Sequence, residues 1–178
     1  MNWIILVVVT LVVIVALLAL IGLCLPREHR ATTRARFRAD AGTVFAVLSD
    51  VEGYPGWRPG VRSVRWVEPV DGHPAYVEET RTGPVRYMIE ASEPPRKFVG
   101  RIADEKLAYG GTWTFVLVPD GAGTQLSVTE DGSVKPVIFR TLARFVFGYH
   151  ATMEQYLKAL GKKLGETVTV ERVTGPSD

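Results

Sequence analysis

Trp3 to Leu25 reads WIILVVVTLVVIVALLALIGLCL, 23 residues without a charged side chain. A helix of that length measures about 34 Å, enough to cross a hydrocarbon core roughly 30 Å thick. Its one hydroxyl, on Thr10, can bond back to a carbonyl one turn earlier. A buried helix in a domain this small would show a polar face, and this stretch has none. Residues 1–26 therefore read as a transmembrane anchor, closed by Pro26. A cleaved signal peptide fits less well: the apolar run is long, no Lys or Arg precedes it, and the exit is bulky. Cys24 is the sole cysteine, so no internal disulfide forms, and Leu23 before it is too large for a lipidation signal.

The rest of the chain is about 150 residues, the size of one ordinary domain. All of the net charge of +2 lies there. That small excess and the lack of any basic motif exclude a nucleic-acid binder. Arg27, Arg30, Arg34, Arg36 and Arg38 follow the anchor closely. The positive-inside rule then makes this a single-pass protein of the cell membrane, with its domain in the cytoplasm.

From His29 to Arg38, Ala31, Thr33, Ala35 and Phe37 alternate with Thr32, Arg34, Arg36 and Arg38. Period two means a strand with one dry face and one wet, basic face, which meets either water or anionic headgroups. Asp40 caps a short helix over residues 41–48, and Asp50 a second turn at Val51–Gly53. Tyr54 to Gly60, YPGWRPG, is a stiff aromatic loop. Further strands are expected at 61–68, 75–81, 85–91, 97–104, 112–118 and 124–130, joined by Gly, Pro and Asp-Gly turns. That makes seven strands, mostly antiparallel neighbours. Val85, Tyr87 and Ile89 share one face, as do Trp113, Phe115 and Leu117. After Gly132 the period becomes 3.6. Residues 136–164 read as one long helix with a broad apolar stripe, Gly148 bending it, and Lys162, Lys163 and Gly165 closing it. Residues 166–178 read as a polar tail with a weak strand-like piece at 168–170.

This order of elements resembles the helix-grip fold of the START-like (SRPBCC) superfamily, which includes polyketide cyclase/dehydrase-like proteins. Four stretches carry the resemblance: ADAGTVFAVLSD ending at Asp50, the loop from Tyr54 to Val61, GTWTFVLVPDGAGTQLSVTE from Gly111 to Glu130, and the helix after Pro136. It covers residues 28–165, within a domain placed at 27–165. The class is α+β. The resemblance implies a strongly curved antiparallel sheet around the C-terminal helix, with an apolar cavity between them for lipids, sterols or aromatic polyketides. Only some members are enzymes, and no universal catalytic residue carries over.

Trp66, Tyr87, Trp113 and Phe115 from the sheet, Phe145, Tyr149, Met153 and Tyr156 from the helix, and Trp57 from the loop are the cavity candidates. Aromatic walls with occasional hydroxyls suit a greasy ligand with one polar end. The same side chains would equally fill a solid core. If the domain is an enzyme, His150 and Glu78 are the acid/base candidates, because an imidazole changes charge near neutrality and a buried carboxylate gains proton affinity. Glu78, Glu79, Glu90 and Glu130 are nonetheless expected to face water, and His29 and His73 to sit at the surface. Three histidines and one distant cysteine give no metal site, and no cofactor motif appears. No nucleophile-elbow serine is present.

The expected function is binding, or local transfer, of a hydrophobic small molecule or lipid by a membrane-tethered domain, with access between the Trp57 loop and the final helix. A cyclase, dehydratase or aromatase, and a membrane adaptor whose protein partner the sequence does not identify, are the alternatives.

Overall fold

The computed structural model describes residues 2–173. Helix α1 (Asn2–Cys24) is apolar on every side and stands clear of the rest for most of its length. Thr10 Oγ1 donates to the Leu6 carbonyl at 2.9 Å, which hides its hydroxyl within the helix. By length and composition α1 suits either a membrane anchor or a signal sequence.

Strand β1 (Glu28–Phe37) follows after three residues, with Ala31, Thr33, Ala35 and Phe37 buried. Asp40 caps α2 (Ala41–Ser49): its carboxylate accepts from Thr43 N at 3.0 Å and from Thr43 Oγ1 at 2.7 Å. These hydrogen bonds hold the Asp40 carboxyl below the usual carboxylate range. Helix α2 buries Val44, Phe45 and Leu48. A tight 3-10 turn (Val51–Gly56) follows, capped by Asp50, which accepts from Gly53 N.

A meander of β2 (Val61–Val70), β3 (His73–Thr80), β4 (Gly83–Glu93), β5 (Lys97–Ile102), β6 (Tyr109–Asp120) and β7 (Gly123–Val134) comes next. Asp71 and Gly72 both adopt positive φ, 51° and 80°, which gives the β2–β3 hairpin its tight turn. After β7 come α3 (Val137–Leu142), a wide π-type turn (Ala143–Phe147), α4 (Ala151–Lys163) and β8 (Val170–Val173). The strand order is β2-β3-β4-β5-β6-β7-β1-β8, antiparallel throughout.

Three expectations are corrected here. The sheet has eight strands, not seven, and is not strongly curled. The eighth comes from the stretch read as a tail: residues 170–173 pair with β1, where Arg34 Nε donates to Glu171 Oε2 at 2.9 Å, and Val168 packs into the core. The remainder of that tail, 174–178, lies outside the described residues. The final helix is also not continuous. Gly148 takes φ 71° and ψ 143°, a conformation that almost only glycine adopts, and ends the first helical piece.

The core lies between one face of the sheet and α2 and α4. Met153, Tyr156, Leu157 and Leu160 of α4 pack against β1, β6 and β7 side chains such as Ala35, Phe115, Leu126 and Val128. Their spacing of three and four residues is the amphipathic stripe of a core helix.

Candidate functional site

Register decides which side chains meet inside. Trp66, Tyr76, Tyr87 and Ile102 pair across β2, β3, β4 and β5, and Gly100, Trp113, Glu130 and Ala31 across β5, β6, β7 and β1. Both rows stand on the face that α4 covers. Near α4 the face is filled solid by Leu117, Leu126 and Val128. Toward the other end glycines replace side chains, at Gly100 on β5 and at Gly110 and Gly111 on β6, and a cavity of about 320 Å³ opens.

All six tyrosines of the chain line that cavity: Tyr54, Tyr76, Tyr87, Tyr109, Tyr149 and Tyr156. Tyr76 and Tyr87 stack across β3 and β4 with centroids 5.5 Å apart. Tyr156 stands edge-on to Trp113 at 5.7 Å and tilts over Phe115 at 5.3 Å. At the closed end Arg58 reaches in from the turn before β2 and donates from Nη1 to Glu78 Oε1 on β3. Its guanidinium lies over the rings of Tyr54 (4.5 Å) and Tyr156 (5.2 Å). Tyr54 donates its own hydroxyl to the Leu48 carbonyl at 2.7 Å. The Tyr156 hydroxyl, on a side chain almost wholly buried, makes no well-formed hydrogen bond among the described residues, although the Tyr54 hydroxyl is close enough to influence it.

Burial governs the electrostatics. It pushes the Tyr54 hydroxyl up to about 12, with Arg58 acting against it. Burial also raises Tyr87, and Tyr76 and Tyr156 stand well above the usual phenol range. Desolvation raises the Glu78 carboxyl while the guanidinium pulls it down, and the rise prevails. For Arg58 desolvation is the largest influence and disfavours the cation, but Glu78 together with Tyr156, Tyr54 and Tyr87 outweighs it and the proton is held more firmly than in water. The wall is thus a set of neutral phenols around one internally compensated ion pair.

A second polar group sits at the opposite end. The His29 ring stacks on Tyr149 at 3.8 Å and 11°, and His29 Nε2 lies 3.7 Å from Glu130 Oε1. Gly132 leaves the space this ring occupies: a Cβ there would collide with the imidazole.

Of the sequence candidates, Tyr87, Trp113, Phe115, Tyr149 and Tyr156 stand around the cavity. Trp57 does not line the cavity; it stands edge-on to two rings that do, Tyr54 (5.5 Å) and Tyr156 (5.2 Å). Trp66 shares the inner face but sits on edge strand β2, half exposed. Met153 is buried in the solid core. Phe145 points outward, 66% exposed, because the wide turn rotates it off the stripe. His150 precedes α4 and does not line the cavity, although its Nε2 is buried and unpaired among the described residues. Glu78 and Glu130, expected in water, face inward: each shares the parity of buried neighbours, Tyr76 for one and Val128 for the other. The sequence reading missed Arg58, Tyr54, Tyr76, Tyr109 and His29. Strand parity with Glu78 was the available signal for Tyr76. Among the described residues no cluster of three or more His, Cys, Asp or Glu stands together.

A sheet gripping a terminal helix around an aromatic cavity defines a helix-grip domain of the START-like kind. The chain belongs to the polyketide cyclase/dehydrase and lipid transport family, whose sequence profile matches residues 28–165. No curated protein matches the sequence. Solved structures share the fold at low identity. The di-domain aromatase/cyclase StfQ of the steffimycin biosynthetic pathway is 17% identical with a TM-score of 0.61, covering 78% of this chain and 52% of its own. This chain therefore spans about half of that protein. A START superfamily protein from Mycobacterium smegmatis is 21% identical with a TM-score of 0.59, over 77% of this chain and 97% of its own. A norcoclaurine synthase from Thalictrum is 12% identical with a TM-score of 0.61, over 77% and 94%.

Proposed function

We propose that this protein is a membrane-tethered binding domain for a compact hydrophobic molecule with one neutral polar end, which it exchanges locally with the bilayer. The observation that carries this reading is the tyrosine-walled cavity between sheet and α4. Its volume of about 320 Å³ lies near the lower limit of small-molecule pockets, about 300–1,000 Å³, and suits one ring system or one chain better than a two-chain lipid. Arg58 is already neutralised by Glu78, so a ligand carboxylate would compete with a built-in one. A hydroxyl or carbonyl meets the Tyr156 hydroxyl, which makes no well-formed hydrogen bond of its own, without that conflict. The phenols keep their protons far above neutral pH and Glu78 is tied to Arg58, so the inner wall supports binding rather than proton transfer. Helix α1 supplies the tether, and the arginines after it favour a cytoplasmic domain. Tethering raises the concentration of a bilayer-soluble ligand at the cavity.

The test is native mass spectrometry of the full chain released gently from detergent. Retention of an apolar molecule is expected, with its loss in Gly100→Leu. A Cβ at Gly100 meets only the Phe98 ring edge at 3.9 Å, so a leucine there fills the cavity without straining the strand. A chain that retains no apolar molecule and competes for none overturns the reading.

One observation favours a second reading, an enzyme of the cyclase, dehydratase or aromatase kind. His29 and Glu130 line the cavity away from the Arg58–Glu78 pair, with Nε2 3.7 Å from Oε1, and would be the acid–base couple under this reading. Under that reading His29→Asn abolishes turnover of a polyketide-like substrate while ligand retention survives.

A further inference from the structure

We infer that the segment Phe139–Phe147 is seated in the lipid surface beside α1, so that the rim of the cavity opens onto the bilayer. This rests on the anchor reading of α1 given above.

The anchor and the domain are clamped together. Gly22 of α1 is buried against α3, where a Cβ would collide with the Val137 carbonyl. Thr141 Oγ1 donates to the Leu18 carbonyl at 2.8 Å. Arg140 donates to Gly22 O at 3.4 Å, Val134 O at 3.1 Å and Lys135 O at 2.9 Å, joining the end of α1 to the end of β7. Leu18 lies six residues before the last residue of α1, about 9 Å down the helix axis. A span of about 34 Å in a core of roughly 30 Å leaves little of α1 outside, so Thr141 stands at the depth of the upper acyl chains.

The side chains around Thr141 match that depth. Phe139 is 56% exposed, Phe145 66%, Val146 65% and Phe147 61%. A run of bulky apolar groups facing outward on a small domain marks a contact surface. Continuity with the apolar surface of α1 identifies lipid as what covers it. Charge agrees: from Gly132 to Met153 the chain holds Lys135, Arg140 and Arg144 and no Asp or Glu, the pattern of an anionic headgroup layer.

The same segment is cavity wall. Phe147 lines the cavity while being largely exposed, which places it on the rim, and Ala143, Gly148 and Tyr149 line it too. Tyr109, also lining and 44% exposed, marks the rim from the sheet side.

The experiment uses the full chain in phosphatidylcholine/phosphatidylglycerol vesicles. Cys24 is replaced by serine, and a single cysteine carries a nitrobenzoxadiazole dye in Val146→Cys, in Phe139→Cys, or, as control, in Lys158→Cys on the exposed face of α4. Nitroxides on the lipid chains should quench residues 146 and 139 at least threefold more than residue 158. Phe145→Glu with Phe147→Glu should abolish that difference while the chain still resists carbonate extraction. A carbonate-resistant chain whose dye at 146 is quenched by aqueous iodide as readily as at 158 overturns the inference and leaves the anchor standing. Self-quenching at 146 that rises with protein density, without nitroxide quenching, also overturns it, in favour of a second copy on this face. Extraction of the unmodified chain by carbonate removes anchor and inference together.

Discussion

Residues 137–147 and 151–163 stand on either side of Gly148 and solve opposite problems. Helix α4 is amphipathic: Met153, Tyr156, Leu157 and Leu160 are buried while Lys158, Lys162 and Lys163 face water. The α3–turn segment carries Arg140 and Arg144 one turn apart, sets Val137 and Thr141 against α1, and turns Phe139, Phe145, Val146 and Phe147 outward. One glycine with positive φ lets two helical pieces of different apolar content face different surroundings. Apolar spacing states that a helix will be covered; bulky apolar side chains left outward beside the arginines state that something other than the sheet covers them.

That contrast can be broken from the α4 side first. Glu78→Ala strands the mostly buried Arg58 beneath Tyr156, and loss of about 3–5 kcal/mol is expected in denaturant unfolding of the full chain in detergent. Replacing both partners, Arg58→Met with Glu78→Leu, should recover most of it. Leu157→Ala removes a fully buried α4 side chain and should lower stability by about 2–5 kcal/mol in the same assay. High pH probes the same wall. Burial pushes Tyr54 from near 10 when unfolded up to about 12 when folded, so its contribution is intact below pH 10 and fades as pH rises through 12, by up to about 3 kcal/mol. Tyr76, Tyr87 and Tyr156 shift the same way, so unfolding should coincide with tyrosinate absorbance rather than follow it. A smaller effect tests the joint itself: Gly148→Ala forces a Cβ into a region nearly reserved for glycine and should cost about 1–3 kcal/mol. The smallest lies on the other side. Phe145→Ser should change unfolding in detergent by no more than about 0.5 kcal/mol, since the ring touches no core; a cost like that of Leu157→Ala would erase the distinction.

The sheet was legible because period two survives tertiary packing. Ala31, Thr33, Ala35 and Phe37 are buried as their alternation implies, and Trp113, Phe115 and Leu117 face the core together. Helix α2 followed from Asp40 and its cap. The eighth strand was not legible, because Val170–Val173 is short and gains its place from pairing with β1 and from Arg34–Glu171, 137 residues apart in sequence. Glu78 was misread for a similar reason: its burial is tolerated only because Arg58, twenty residues earlier, enters the same space. Strand parity did align Glu78 with Tyr76, and weighting that parity above the general preference of carboxylates for water would have placed it inside. The helix break hides in the sequence because the apolar spacing of three and four runs straight across Gly148. A minority of the candidate cavity wall, Tyr87, Trp113, Phe115, Tyr149 and Tyr156, was visible from strand alternation and helical spacing; the rest needed register.

Only Leu25, Pro26 and Arg27 separate α1 from β1, and Arg27 O accepts from Val134 N at 2.8 Å, so the joint is stiff. A carrier on a long leash sweeps a hemisphere and can visit a facing membrane. Here the swing is gone: under the proposed reading, with α1 in a bilayer, a cargo would leave only into the leaflet it came from, or to an acceptor that docks against the domain.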